Sequence, residues 1–161
     1  MAIEMAGVVT EAAENLGLSP LDVEHLTTPK SQLIARIGIE RDSGDLFEAD
    51  AYRILHSDAR GPGKGGIRFH KNADLSRIQN LAFEMGFKTA VVNLPYGGGK
   101  GGAQVDFPSF SPAEKARFTL EYTRAIAPVI GPKVDVPAPD VNTDGQTMKY
   151  VVYGYAEHVG K

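Results

Sequence analysis

The chain has 161 residues, 42% of them hydrophobic and 23% charged, with a formal net charge of -3, which is the composition of an ordinary soluble globular protein. The acidic balance argues against a nucleic-acid partner, which calls for a basic surplus, and the absence of cysteine excludes disulfides, thiolate metal sites and cysteine nucleophiles. No apolar run is long enough to span a bilayer and residues 1–10 lack the basic start and apolar stretch of a secretory signal, so the expectation is no membrane partner, a cytoplasmic location and one domain over residues 1–161.

Residues 6–16 read as a short helix, and Ser19-Pro20 as the start of a second, with a capping serine before proline at the first helical position. Pro29 keeps that helix brief, so residues 1–30 form an N-terminal helical segment. Residues 32–39 alternate, with Leu33, Ala35, Ile37 and Ile39 on one face, which is strand period. Turn chemistry at Asp42-Ser43-Gly44 and a further extended run over residues 46–56 predict an antiparallel hairpin.

The run Gly61-Pro62-Gly63-Lys64-Gly65-Gly66 reads as a loop and residues 67–70 as a short extended piece. Asp74 caps a predicted helix whose apolar positions are Leu75, Ile78, Leu81 or Ala82, and Met85, at helical spacing. Lys88 lies seven residues after Leu81, projecting from nearly the same face. Residues 89–94 read as a buried strand, the glycine-rich run 97–102 as a loop after it, and residues 103–107 as another strand. Ser111-Pro112-Ala113-Glu114 is a capping box that starts a helix with Phe118, Tyr122, Ala125 and Val129 on its buried stripe, and Gly131-Pro132 stops it. A short strand over residues 133–136 follows, with Asp140 in the loop beyond it. Thr143-Asp144-Gly145-Gln146 is a second capping box, for a helix with Met148, Val151 or Val152, Tyr155 and Val159 on its apolar face. That helix is read to the last residue without a C-cap, as in a fragment of something longer. The order of elements predicts an α/β domain, a three-layer α/β/α arrangement with a mixed sheet opened by an antiparallel hairpin.

Three lysines and one acid carry the candidate chemistry: Lys64 and Lys100 among glycines, Lys88 in the last turn of a helix, and Asp140. Each has an ordinary explanation alone: a surface lysine, a tight turn, a cation at a helix C-terminus, an acid ahead of a helix. Together they suit a small, doubly anionic ligand. A phosphate-loop reading of residues 97–102 fails on spacing, because Leu94 and Gly101 stand where glycine and serine or threonine are needed. A dinucleotide fingerprint fails because no helix follows the strand and its glycines. What remains is a lysine on a bulk-free segment, partly desolvated and near other cations, both of which lower an ammonium pKa and suit it to act as acid, base or polarising group. His56, His70 and His158 lack metal-ligand spacing, and Arg60, Arg68 and Lys71 read as solvated surface beside Lys64.

Three segments carry a family resemblance. The run Ala59-Arg60-Gly61-Pro62-Gly63-Lys64-Gly65-Gly66-Ile67-Arg68-Phe69-His70 resembles the substrate-loop signature of glutamate dehydrogenases. Leu94-Pro95-Tyr96-Gly97-Gly98-Gly99-Lys100-Gly101-Gly102 resembles their glycine-rich catalytic signature, and Asp135-Val136-Pro137-Ala138-Pro139-Asp140 their catalytic-aspartate segment. The resemblance runs from about residue 31 to the end.

It implies reversible oxidative deamination of L-glutamate to 2-oxoglutarate and ammonium, with hydride passing to NAD or NADP. By position it implies that Lys100 polarises the carbonyl and assists the attacking water and that Asp140 shuttles a proton to the substrate nitrogen. Lys88 would hold the α-carboxylate and Lys64 the side-chain carboxylate, beside Gly65 and Gly66 in the substrate loop. Relatives acting on leucine, phenylalanine or valine have an apolar residue in place of Lys64, so Lys64 favours a dicarboxylate substrate. The resemblance further implies a homo-oligomer, a hexamer in most of the family, and a separate nucleotide-binding domain that holds the cofactor and has no counterpart in these residues. The chain alone is therefore expected to be inactive. The alternatives are a non-catalytic assembly or regulatory module, or a dicarboxylate-binding domain, derived from the same family.

Overall fold

The computed structural model describes residues 5–160. Two helices, α1 (Met5–Leu16) and α2 (Pro20–Thr27), precede the sheet. Ser19 caps α2, its hydroxyl accepting from the Asp22 backbone N–H while Asp22 bonds back to Ser19. Strands β1 (Ser31–Glu40) and β2 (Leu46–Ser57) pair antiparallel in full register, from Ser31 opposite Leu55 to Glu40 opposite Leu46, so the predicted hairpin is present.

The five strands lie in the order β1-β2-β4-β3-β5, where β3 is Gly63–Phe69, β4 is Gly97–Ala103 and β5 is Asp135–Pro139. Strand β2 runs antiparallel to β4, and β3 runs parallel to both β4 and β5. The sheet is therefore mixed: an antiparallel half at the hairpin and a parallel half where the later strands meet.

Helix α3 (Leu75–Val91) covers one face. Its Ile78 and Ala82 pack with Tyr52 and Ile54 of β2. Helices α4 (Pro112–Ile126) and α5 (Gly145–Val159) lie on the other, where Phe118, Tyr122, Ile126 and Val151 form a core with Ile37, Ala51, Ile67 and Phe69. The Phe69 ring meets Phe118 and Tyr122 edge-on at 5.2 and 5.0 Å between centroids, a favourable aromatic geometry. The three-layer α/β/α arrangement follows directly from these two separate cores.

Several local expectations are corrected. Residues 97–102 are not a loop: they form β4, at the centre of the sheet and buried throughout. Residues 63–66 likewise belong to β3. These glycines read as loop because they offer no side-chain period to follow. Their neighbours explain why a strand of glycine forms here. A Cβ on Gly98 would lie 2.5 Å from Ala82 O and Gly86 N of α3, and one on Gly99 2.5 Å from Asp135 Oδ1. The strand is bare because helix α3 lies against one side and a buried carboxylate against the other.

The β-branched residues at 89–92 do not make a strand. Helix α3 continues through Val91, and Val91 and Val92 face solvent. Helix propensities differ by only about 0.7 kcal/mol among ordinary residues, so burial of Thr89 and its hydroxyl bonds to Met85 O and Tyr96 O are enough to prolong the helix. Of residues 103–107, only Ala103 is in a strand, as the end of β4, and Phe107–Ser109 is a single helical turn. The strand predicted at 133–136 begins instead at Asp135.

Helix α4 starts at the predicted box, with Ser111 and Glu114 bonding reciprocally. Helix α5 is capped by Asp144 with Thr147, one residue later than the predicted Thr143 cap, because the Thr143 hydroxyl is already engaged with Ile67 O and Asp140 O. The same helix does have a C-cap: Gly160 takes the left-handed conformation at φ 70, where glycine carries no Cβ penalty. Among the described residues no helix is long and apolar enough to cross a membrane.

Candidate active site

Side chains alternate faces along a strand, and this alternation sorts the parallel half of the sheet into two layers. On the α4 side, Arg53 of β2 forms a bidentate pair with Asp135 of β5, its Nε 2.7 Å from Oδ2 and its second guanidinium nitrogen 2.5 Å from Oδ1. Both side chains are buried, at 1% and 0% exposure. Arg53 also donates to Gly65 O at 3.3 Å. This pair fastens β2, β3 and β5 together beneath the glycines of β4.

On the α3 side lies the candidate chemistry. Lys100 projects from β4 between Gly98 and Gly102, which pack on α3, and is 5% exposed. Its Nζ is 3.0 Å from Asp140 Oδ2. Burial pushes the Lys100 pKa below the ordinary lysine range. The ion pair with Asp140 opposes that shift, while the positive charges of Arg68 and Lys88 reinforce it.

Asp140 follows β5 directly. Its backbone N–H donates to Thr143 Oγ1 at 2.7 Å, and the Thr143 hydroxyl donates to Ile67 O at 2.8 Å, which ties the loop to β3. Asn142 sits at φ 60, a left-handed conformation that asparagine tolerates, and donates to Phe69 O at 2.9 Å. Burial works against ionising the Asp140 carboxyl, but bonds from Arg68 and Lys100 outweigh it and hold its pKa below the usual carboxylate value.

Lys64 and Gly66 share the face of β3 that carries Arg68. The Lys64 ammonium is half-buried and only loosely engaged, 3.5 Å from Val136 O and from Pro137 O. Burial lowers its pKa, with a further contribution from Arg53 that Asp135 opposes. Lys88, on α3, is exposed and paired with Glu84 one turn earlier at 2.9 Å. Gly65 and Gly66 are sterically required. A Cβ on Gly65 would lie 1.5 Å from Gly99 O, and one on Gly66 2.5 Å from Asp140 Cβ.

The structure thus brings Lys100 and Asp140 into direct contact and sets the charge of Lys88 close enough to act on Lys100. Lys64 is on the neighbouring strand in the same layer. Arg68 is the residue that sequence reading misplaced. It is not a solvated surface group but donates from Nε to Asp140 Oδ2 at 2.7 Å, with its side chain 16% exposed. Its position two residues after Gly66, on the face of β3 that carries Lys64, was the available signal. The glycine runs do not suit a dinucleotide: they lie inside paired strands with protein against their Cβ positions, and no step through such a cofactor is assigned to these residues.

A buried lysine of lowered pKa thus stands against an ionised aspartate, with further cations nearby, on a mixed α/β sheet. Residues 29–157 match the family model described as Glu/Leu/Phe/Val dehydrogenase, dimerisation domain, and the chain belongs to that family. It is 42% identical over 153 residues to an NAD-specific glutamate dehydrogenase of Clostridioides difficile, covering 95% of this chain and 36% of that one. It is 43% identical over 133 residues to an NADP-specific glutamate dehydrogenase of Synechocystis sp., covering 83% and 31%. The crystal structure of a hetero-hexameric glutamate dehydrogenase from Thermus thermophilus, in a leucine-bound form, superposes with a TM-score of 0.91 at 34% identity, covering 98% of this chain and 38% of that one. The chain therefore spans about a third of the length of these relatives, from 31% to 38%.

Proposed function

We propose that this chain is the substrate-binding and catalytic-lysine portion of a glutamate dehydrogenase, which interconverts L-glutamate with 2-oxoglutarate and ammonium using NAD or NADP held by a domain outside these residues. The observation that carries the reading is the Lys100–Asp140 pair, 3.0 Å apart and largely withdrawn from water. Lys100, its proton loosened by burial, polarises the substrate carbonyl while protonated and, once it has given that proton up, accepts one from the attacking water. Asp140, ionised, accepts a proton and passes it to or from the substrate nitrogen.

Lys64 takes the side-chain carboxylate and Lys88 the α-carboxylate, with Gly65 and Gly66 forming the floor between β3 and the Asp140 loop. Lys88 exchanges Glu84 for the substrate in doing so. That exchange costs little, because exposed ion pairs contribute about 0–1 kcal/mol. Lys64 gives up only its long carbonyl contacts. The description of the family model as a dimerisation domain, and the hetero-hexameric state of the Thermus thermophilus enzyme, support an oligomer of about that size for the whole protein.

Two expected results test this. In the full-length protein, Lys64→Leu should lower kcat/KM for glutamate by about 10- to 150-fold, the worth of a hydrogen bond to a charged group, while changing activity on norvaline by less than about threefold, within the spread of such measurements. Equal losses on both amino acids would remove Lys64 from the side-chain carboxylate. Residues 1–161 purified alone should show no glutamate-dependent reduction of NAD or NADP. Reduction by that polypeptide that disappears with Lys100 would overturn the placing of the cofactor site elsewhere.

A further inference from the structure

Asp140 Oδ2 is shared. Arg68 Nε reaches it at 2.7 Å and Lys100 Nζ at 3.0 Å. Resting on the reading above, we propose that Arg68 is a positioning residue of the site: it fixes the Asp140 carboxylate through that common oxygen and competes with Lys100 for its charge.

A purely structural role does not account for the bond. The loop after β5 is already fastened to β3 by three other hydrogen bonds, Thr143 Oγ1 to Ile67 O, Asn142 Nδ2 to Phe69 O, and Phe69 N to Val141 O, at 2.8, 2.9 and 3.2 Å. What Arg68 adds is a permanent charge. A guanidinium does not release its proton in a protein, so Arg68 neutralises Asp140 whether or not Lys100 is protonated. With Lys100 as sole partner, the carboxylate would be paired only while the ammonium kept its proton, and the pair would resist the proton transfer it is placed to make. Arg68 frees the two states of Lys100 from that penalty.

The charged groups on this side of the sheet come from several elements. Lys64 and Arg68 stand on β3, Lys100 on β4, Lys88 with its partner Glu84 on α3, and Asp140 on the loop beyond β5. Of these, Arg68 and Lys88 lower the Lys100 pKa by charge, and Arg68 also lowers that of Asp140. Removing Arg68 therefore moves both groups upward in pH.

The test uses the full-length protein with Arg68→Met and Arg68→Lys. Arg68→Met should lower kcat by about 10- to 100-fold, no more than the lower limit of what an acid–base group itself contributes, with KM for glutamate within about threefold of wild type and the acid limb of the kcat/KM profile at higher pH. Arg68→Lys, which keeps charge but not the Nε geometry, should return the limb toward its original position while leaving kcat reduced. Competitive acetylation of lysines, read by mass spectrometry across pH, gives a second readout that needs no substrate: half-labelling of Lys100 should move to higher pH in Arg68→Met. An unmoved labelling curve, or a raised KM with kcat and pH profile unchanged, overturns the proposal. Should Arg68→Met not fold, Arg68→Lys carries the same measurements, and a variant indistinguishable from wild type in kcat overturns it. A wild-type protein that fails to turn over glutamate, with the labelling shift still seen in Arg68→Met, sinks the assigned reaction and leaves the role of Arg68 standing.

Discussion

Lys100→Met in the full-length protein should reduce kcat for glutamate by about 10²- to 10⁴-fold, the range over which a positioned proton-transfer group acts. Methionine keeps much of the length and volume of lysine but has no titratable amine, so the gap between Gly98 and Gly102 stays filled and the sheet should remain intact. Binding of 2-oxoglutarate should survive within about tenfold, because Lys64 and Lys88 are untouched, and calorimetry separates that from the loss of turnover. Lys100→Arg should not rescue the rate, since a guanidinium cannot present a free base. Retention of kcat within tenfold of wild type in Lys100→Met would remove Lys100 from the chemistry. The direction of the Lys100 shift also fixes a sign. A lysine whose pKa is lowered by folding binds fewer protons in the native state than in the unfolded chain. Its contribution therefore disfavours folding at low pH and eases as pH rises through the folded pKa toward the ordinary lysine range.

The second large effect concerns stability. Asp135→Ala should destabilise the fold by about 3–5 kcal/mol, the cost of leaving a buried charge without its partner. Arg53, 1% exposed, has no other carboxylate to turn to among the described residues and would keep only its bond to Gly65 O. Against a total of about 5–15 kcal/mol for a domain, this is a loss of about a fifth or more, visible as a lowered denaturation midpoint at unchanged slope. Pairing the change with Arg53→Met should recover a substantial part, because an apolar pair avoids the desolvation of both ions. A midpoint for Asp135→Ala equal to wild type would show that the guanidinium reaches water, and that the pair does not clamp the strands.

The strongest signals in the chain were those with a period or a cap. The alternation at residues 33–39 gave the hairpin, and Ser111 with Glu114 gave the start of α4. The glycines misled because a residue without a side chain leaves no pattern. Their strand is dictated by what lies against it, α3 on one side and Asp135 on the other, and neither is local in the chain. The lysines stood out because glycine surrounds them. Arg68 did not, since a lone arginine among basic neighbours looks like surface until β5 and its trailing loop are in place. Asp135 was hidden for a related reason: nothing in its own segment announces that Arg53, on a distant strand of the sheet, requires a counter-ion.

The register of β3 has a consequence for how the protein comes into being. Lys64 pairs with Gly98 on one side and with Val136 on the other, so this short ribbon is sewn to two segments far along the polypeptide. Loop-closure entropy must be met for each pairing before that pairing returns any stabilisation. The opening hairpin can zip as soon as it leaves the ribosome, whereas the centre of the sheet waits for β5, Asp135–Pro139, to emerge. A nascent chain released early would thus carry a formed hairpin and no working cleft.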